Sequence, residues 1–174
     1  MAPRRRRVAP IIAVSGPSGA GKTRLIARLV PRLADLGFRV AVIKRSGHNH
    51  GFDVPGKDTD VVRRAGAVAA AITGPRETAW FGPPVEGARS LARLLPPVDL
   101  VLAEGFGAER LRRVEVHRSS VSRRFLCADD RGVVAVVTDE PPPRALPAFH
   151  ASDAAGLALF LVERLRLRRR RARG

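Results

Sequence analysis

The chain is 174 residues long with a single cysteine, Cys127, which excludes an intramolecular disulfide and fits a reducing compartment; the length itself suffices for one domain with a buried core and no structural metal. No apolar run is long enough to span a membrane, and residues 11–14 are too short for a signal core, so a cytoplasmic protein without membrane contact is expected. The net charge of +16 is almost all arginine, but without tyrosine, and with few aromatics set among the basic residues, it argues for non-specific polyanion affinity and against a specific nucleic-acid reader.

In chain order, residues 1–9 form a basic N-terminal tail carrying Arg4 to Arg7, and residues 10–15 read as a buried parallel strand because the apolar run is continuous rather than alternating. The segment Gly16-Pro17-Ser18-Gly19-Ala20-Gly21-Lys22-Thr23 follows, and then an amphipathic helix over 23–36 that Gly37 terminates. Residues 39–44 are the next strand, completing a βαβ unit. The polar stretch from Arg45 to Lys57 is long for a loop in a compact domain, which marks it as functional or mobile. A short helix is expected over 58–65, ended by Gly66, with strands at 68–73 and 77–81, a helix at 85–95 and a strongly apolar strand at 99–103. Residues 114–117 alternate like an edge strand. Residues 133–138 close the series of strands, and Ser152 or Asp153 caps a last helix running to Leu165. The pattern is a three-layer α/β domain at 10–166 with a mostly parallel sheet, followed by an arginine-rich tail at 167–174.

The eight residues from Gly16 to Thr23 are a phosphate-binding loop in the context it requires, a buried strand before it and a helix after it. A loop around a polyphosphate points successive backbone N–H groups inward, which glycine permits, and the helix N-terminus adds partial positive charge. Lys22 supplies a point charge to the terminal phosphates and is the first catalytic candidate. Thr23 offers its hydroxyl to the magnesium ion that accompanies the nucleotide. That metal needs a carboxylate at a neighbouring strand tip, and Glu104, ending an apolar run before Gly105, is the candidate; its bland alternative is a strand-end charge facing solvent. Asp99 begins the same strand and reads as a cap or turn residue.

The loop after the second strand carries further candidates. Lys44 and Lys57 suit phosphate contact, as flexible point charges in a chain that otherwise uses arginine. Asp58 reads as a second metal or water-orienting carboxylate, or equally as the N-cap of the next helix. His48 and His50 fit phosphate contact or solvated polarity better than zinc, since further ligands are wanting. Asp139, after the last predicted strand, has the acceptor chemistry to read N1 and N2 of guanine, although turn chemistry explains it equally well.

Taken together, these segments resemble the MobB-type molybdopterin-guanine dinucleotide biosynthesis proteins. Besides the phosphate loop, the likeness rests on Val42-Ile43-Lys44, on Phe52-Asp53-Val54-Pro55-Gly56-Lys57-Asp58, on Ala65-Gly66-Ala67, and on Asp99-Leu100-Val101-Leu102-Ala103-Glu104-Gly105-Phe106 leading to Val114-Glu115-Val116-His117-Arg118. The resemblance implies a GTP-binding P-loop protein, a homodimer with weak hydrolysis at most, that assists the guanylyltransferase joining GMP to molybdopterin, with molybdopterin itself a further candidate ligand. This chain departs from the family pattern in three places: Arg45 stands where histidine is common, Gly107 where lysine is common, and no proline precedes Val114. Two other classes remain open on the residues alone. One is a small-molecule kinase with Asp58 as base, and the other is a polyanion-binding protein acting through the arginine tails.

Overall fold

The structure, a computed structural model, describes residues 8–47 and 51–168. The expectations for His48 and His50, and those for Arg4 to Arg7, Arg169 to Arg171 and Arg173, lie outside the described residues. Among the described residues no helix is long and apolar enough to cross a membrane. The chain divides into two compact units, one running up to Arg45 and again from Gly87, the other being Ser46–Glu86. The sequence pattern over 10–166 gives no sign of this internal division.

In the first unit six strands form one parallel sheet: β1 (Ile11–Ser15), β2 (Val40–Lys44), β5 (Leu100–Glu104), β6 (Arg113–Val116), β7 (Val133–Val137) and β8 (Ala148–Phe149), in the order β2-β5-β1-β6-β7-β8. Its helices are α1 (Lys22–Asp35), α3 (Ala88–Leu94) and α4 (Ala154–Arg164). Because side chains alternate along a strand, successive residues feed opposite layers. Ile12, Val14, Leu100 and Leu102 pack with Leu25, Leu29 and Leu33 of α1 and with Leu157 and Leu161 of α4. Ala13, Val101 and Ala103 pack on the other side with Ala88 and Ala92 of α3. The three-layer parallel α/β fold expected from the sequence is the one observed.

Several local expectations hold. Gly37 adopts φ 80° and donates its N–H to the Ala34 carbonyl, ending α1, and Asp153 caps α4 by accepting the Gly156 N–H at 2.8 Å. Asp99 is a tie between strand starts, its Oδ2 accepting the Arg39 N–H at 2.8 Å.

Three expectations need correction. First, β6 is not an edge strand: it lies between β1 and β7 and every residue in it is buried. Its charged residues suggested a solvent face, yet Glu115 is fully buried and accepts the N–H groups of Leu126 (2.6 Å) and Cys127 (2.8 Å), in the short 3-10 turn Leu126–Ala128. Second, the sheet does not close at 133–138, because beyond the prolines Ala148–Phe149 adds a two-residue parallel edge strand. Third, the strands expected at 68–73 and 77–81 do not join the sheet. They are β3 (Ala70–Thr73) and β4 (Thr78–Phe81), an antiparallel pair inside the Ser46–Glu86 unit.

That second unit also holds α2 (Asp58–Arg64). Asp53 organises it, accepting from the Thr59 hydroxyl (2.8 Å) and the Val54 N–H (3.0 Å) while pairing with Arg63 at 3.0 Å. Asp60 accepts the Gly56 N–H at 2.8 Å and pairs with Arg64, and the Gly56 hydrogen bond holds its carboxyl below the usual carboxylate range.

The buried Glu115 sets a stability test. Glu115→Ala strands two backbone donors without a partner, and an unsatisfied buried donor costs about 1–3 kcal/mol. A urea unfolding curve is expected to show a loss of roughly 3 kcal/mol at unchanged slope; a variant as stable as the parent would show that the carboxylate is not holding that turn.

Candidate functional site

The phosphate loop begins where β1 runs out. Gly16 has φ 146°, and a Cβ there would strike the Val116 carbonyl of neighbouring β6, so only glycine fits. Gly21, in the left-handed region at φ 95°, is the N-cap from which Lys22 starts α1. Space around Gly21 is open, so its requirement is conformational rather than steric. Lys22 Nζ donates to the carbonyls of Gly16 (3.0 Å) and Pro17 (2.7 Å), which holds the ammonium across the loop.

One residue along the helix, the Thr23 hydroxyl lies 3.0 and 2.9 Å from the two carboxylate oxygens of Glu104. Glu104 ends β5 in register with Lys44 at the end of β2, and the Lys44 ammonium lies 3.2 Å from Oε1. The Glu104 carboxylate does not face solvent, the residue being only 7% exposed. Sequence-distant Lys22, Thr23, Lys44 and Glu104 therefore meet in one cleft of about 500 Å³, lined also by Arg24, Arg28, Arg118, Val116, Val137 and Ala151. A hydroxyl and a carboxylate oxygen this close are a donor pair that fits magnesium, which takes few protein ligands and fills its shell with phosphate and water. Among the described residues no three His, Cys, Asp or Glu side chains gather as a metal cage.

Asp139, one residue past Thr138 at the end of β7, is exposed and accepts the Ser119 N–H at 3.0 Å. That hydrogen bond, with a smaller contribution from the Arg118 charge, keeps its carboxyl below the usual carboxylate range. Lys57 and Asp58 belong to the Ser46–Glu86 unit. The cap expected of Asp58 falls to Lys57, with Asp58 the first residue of α2, where a carboxylate favours the positive helix end. Sequence reasoning missed Arg24, Arg28 and Arg118 as lining residues. The signal for Arg118 was its place just past the end of a strand, the argument that found Glu104, hidden because β6 had been read as an edge.

The departures from the family pattern also have structural settings. The Arg45 guanidinium lies 4.5 Å from the centre of the Phe106 ring and pairs with Glu109 at 3.0 Å, and Glu109 accepts the first N–H of α3 from Ala88. Arg113, where proline is missing, donates to the carbonyls of Gly107 and Glu109, each at 2.6 Å, so two of the departures touch each other.

With this geometry in place, the comparisons with known proteins are informative. The family model described as molybdopterin guanine dinucleotide synthesis protein B matches residues 11–139. The chain belongs to the MobB family. It is 33% identical over 161 residues to a molybdopterin-guanine dinucleotide biosynthesis adapter protein of Escherichia coli, covering 88% of this chain and 92% of that one. A protein of the same description from Haemophilus influenzae is 35% identical over 76% of each chain. The crystal structure of a MobB homologue from Bacillus stearothermophilus superposes with a TM-score of 0.64 at 26% identity, covering 90% of this chain and 97% of that one.

Cys127 contributes no nucleophile to this MobB chain. It is fully buried, and burial, followed by the nearby Glu115 carboxylate, pushes its thiol up to about 11. Since that value lies above working pH, the thiol stays protonated. Native protein at pH 8 is expected to release no chromophore from an aromatic disulfide reagent, and one equivalent after denaturation; rapid labelling of the native state would contradict this burial.

Proposed function

We propose that this protein binds GTP with magnesium and acts as an adapter in molybdopterin guanine dinucleotide synthesis, assisting the guanylyltransferase as a cytoplasmic homodimer. The observation that carries the reading is the meeting of Thr23 and Glu104 at the mouth of a phosphate loop closed by Lys22. In this reading the loop N–H groups and Lys22 take the β- and γ-phosphates, Thr23 and Glu104 take the metal, and Lys44 is released from Glu104 towards the phosphates. The adapter role is supported by the likeness to the Escherichia coli and Haemophilus influenzae adapter proteins, the first of which aligns with most of this chain.

Slow hydrolysis follows from the cleft's composition. Its polar side chains are cations, the Ser18 and Thr23 hydroxyls and one carboxylate already committed to Thr23 and Lys44, and no glutamine lines it to orient an attacking water. Output then comes from the bound state and the partner it engages rather than from turnover.

The test pairs binding with assembly. Lys22→Ala removes a charge-assisted contact to the terminal phosphates and is expected to weaken GTP binding roughly 100-fold with the melting temperature preserved. The parent chain is expected to co-purify with a molybdopterin guanylyltransferase and raise dinucleotide formation, and the variant to give no such rise. Undiminished GTP affinity in the variant would remove the nucleotide reading, and absence of any guanylyltransferase association would remove the adapter reading.

A further inference from the structure

The strand order divides the nucleotide cleft into two ends. β1 carries the phosphate loop, and on one side of it β5 and β2 present Glu104 and Lys44, the metal end. On the other side come β6, β7 and β8, whose C-terminal ends lead to Arg118, Asp139 and Ala151. Neighbouring strands are about 4.8 Å apart, so the end of β7 lies about 10 Å across the sheet from the loop strand. That is the reach from a β-phosphate to a nucleobase, and with the metal end occupied by Glu104 and Lys44 the nucleoside has only this direction to run.

The far end is built for a flat ring with polar edges. Leu25, Val116 and Val137 give it apolar walls, and Arg28 is spent on structure, donating to the Ala151 carbonyl at 3.1 Å. Arg118 is different. It lines the cleft half-buried, and its guanidinium makes no hydrogen bond to a described residue. Its backbone is held from both directions: its carbonyl accepts the N–H groups of Val121 (2.9 Å) and Ser122 (3.0 Å), and the next N–H, of Ser119, is bound by Asp139.

We propose that Arg118 reads the O6 and N7 acceptors of guanine and is a specificity-determining residue of this site. The inference rests on the GTP reading above and deepens it. A guanidinium fork matches the O6/N7 pair bidentately, whereas adenine offers an amino donor in place of O6 and leaves the fork unsatisfied. Asp139 stands beside it as the acceptor for the N1 and N2 protons, tied to the Arg118 turn through Ser119. Arg118 lines the cleft and Asp139 follows the neighbouring strand at the same sheet edge, a donor and an acceptor for adjoining parts of the guanine edge.

The test uses three nucleotides on the full chain, measured by calorimetry with magnesium: GTP, ATP, and 7-deazaguanosine triphosphate, which keeps O6, the N1 proton and the N2 amine and lacks only the N7 acceptor. The parent is expected to prefer GTP to the N7-less analogue by roughly 10-fold, the lower end of what a bidentate base contact discriminates. In Arg118→Met that ratio falls to near one, GTP losing more affinity than the analogue; Arg118→Lys, which keeps the charge and loses the fork, gives an intermediate ratio and serves if the methionine variant fails to fold. Equal weakening of all three nucleotides would assign Arg118 to a phosphate instead and overturn the proposal, as would unchanged ratios in both variants. Failure of the GTP reading itself shows separately, as a parent that binds GTP and ATP equally or not at all.

Discussion

Glu104 is a nearly buried carboxylate at the C-terminal end of a central strand, and the architecture of the site is organised around neutralising it. An ionised carboxylate removed from water is costly unless charge and hydrogen bonds replace its hydration. Here Lys44 supplies the charge from β2 and Thr23 the hydrogen bond from α1. Both partners arrive by backbone geometry: the parallel register places Lys44 directly beside Glu104, and the phosphate loop delivers Thr23 on the first turn of its helix. A lysine and a hydroxyl thus satisfy the carboxylate where it is buried.

The same economy recurs in the segments that support this edge. Arg113 is buried in β6, yet three backbone carbonyls and Asp130 take its donors, and the loop that follows Glu104 is thereby clamped to the sheet. Arg45 braces that loop from β2 by stacking on Phe106 and pairing with Glu109. Glu115 does the equivalent for the turn at Leu126. Arg113 and Glu115 are kept inside by hydrogen bonds to backbone groups, whereas Arg45, at the surface, is held by the ring and the carboxylate it touches. Arg45, Gly107 and Arg113 all belong to that bracing.

Much of this was legible in the sequence, for identifiable reasons. The loop from Gly16 to Thr23 announces itself because few residue types tolerate its backbone, and Glu104 because a carboxylate ending an apolar run has a restricted set of positions in a parallel sheet. What misled was charge inside β6. Arg113 and Glu115 look like a solvent face when only polarity is counted, and their burial depends on carbonyl and N–H groups brought in from residues 107–111 and 126–127, which no local pattern encodes. The β8 strand is two residues long and carries no periodicity to detect. The hairpin of β3 and β4 has the composition of strands in the main sheet, and only long-range pairing decides which sheet a strand joins.

The central claim is that Glu104 and Thr23 form one half of a magnesium site completed by a bound nucleotide. Calorimetry of GTP binding with magnesium and with a chelator, on the parent chain and on Glu104→Gln, tests it most directly. In the parent, magnesium is expected to tighten GTP binding by at least roughly tenfold, the scale of one metal-bound carboxylate. In the variant that gain disappears while metal-free affinity is kept or improved. A Glu104→Gln protein that retains the full magnesium gain would contradict the account.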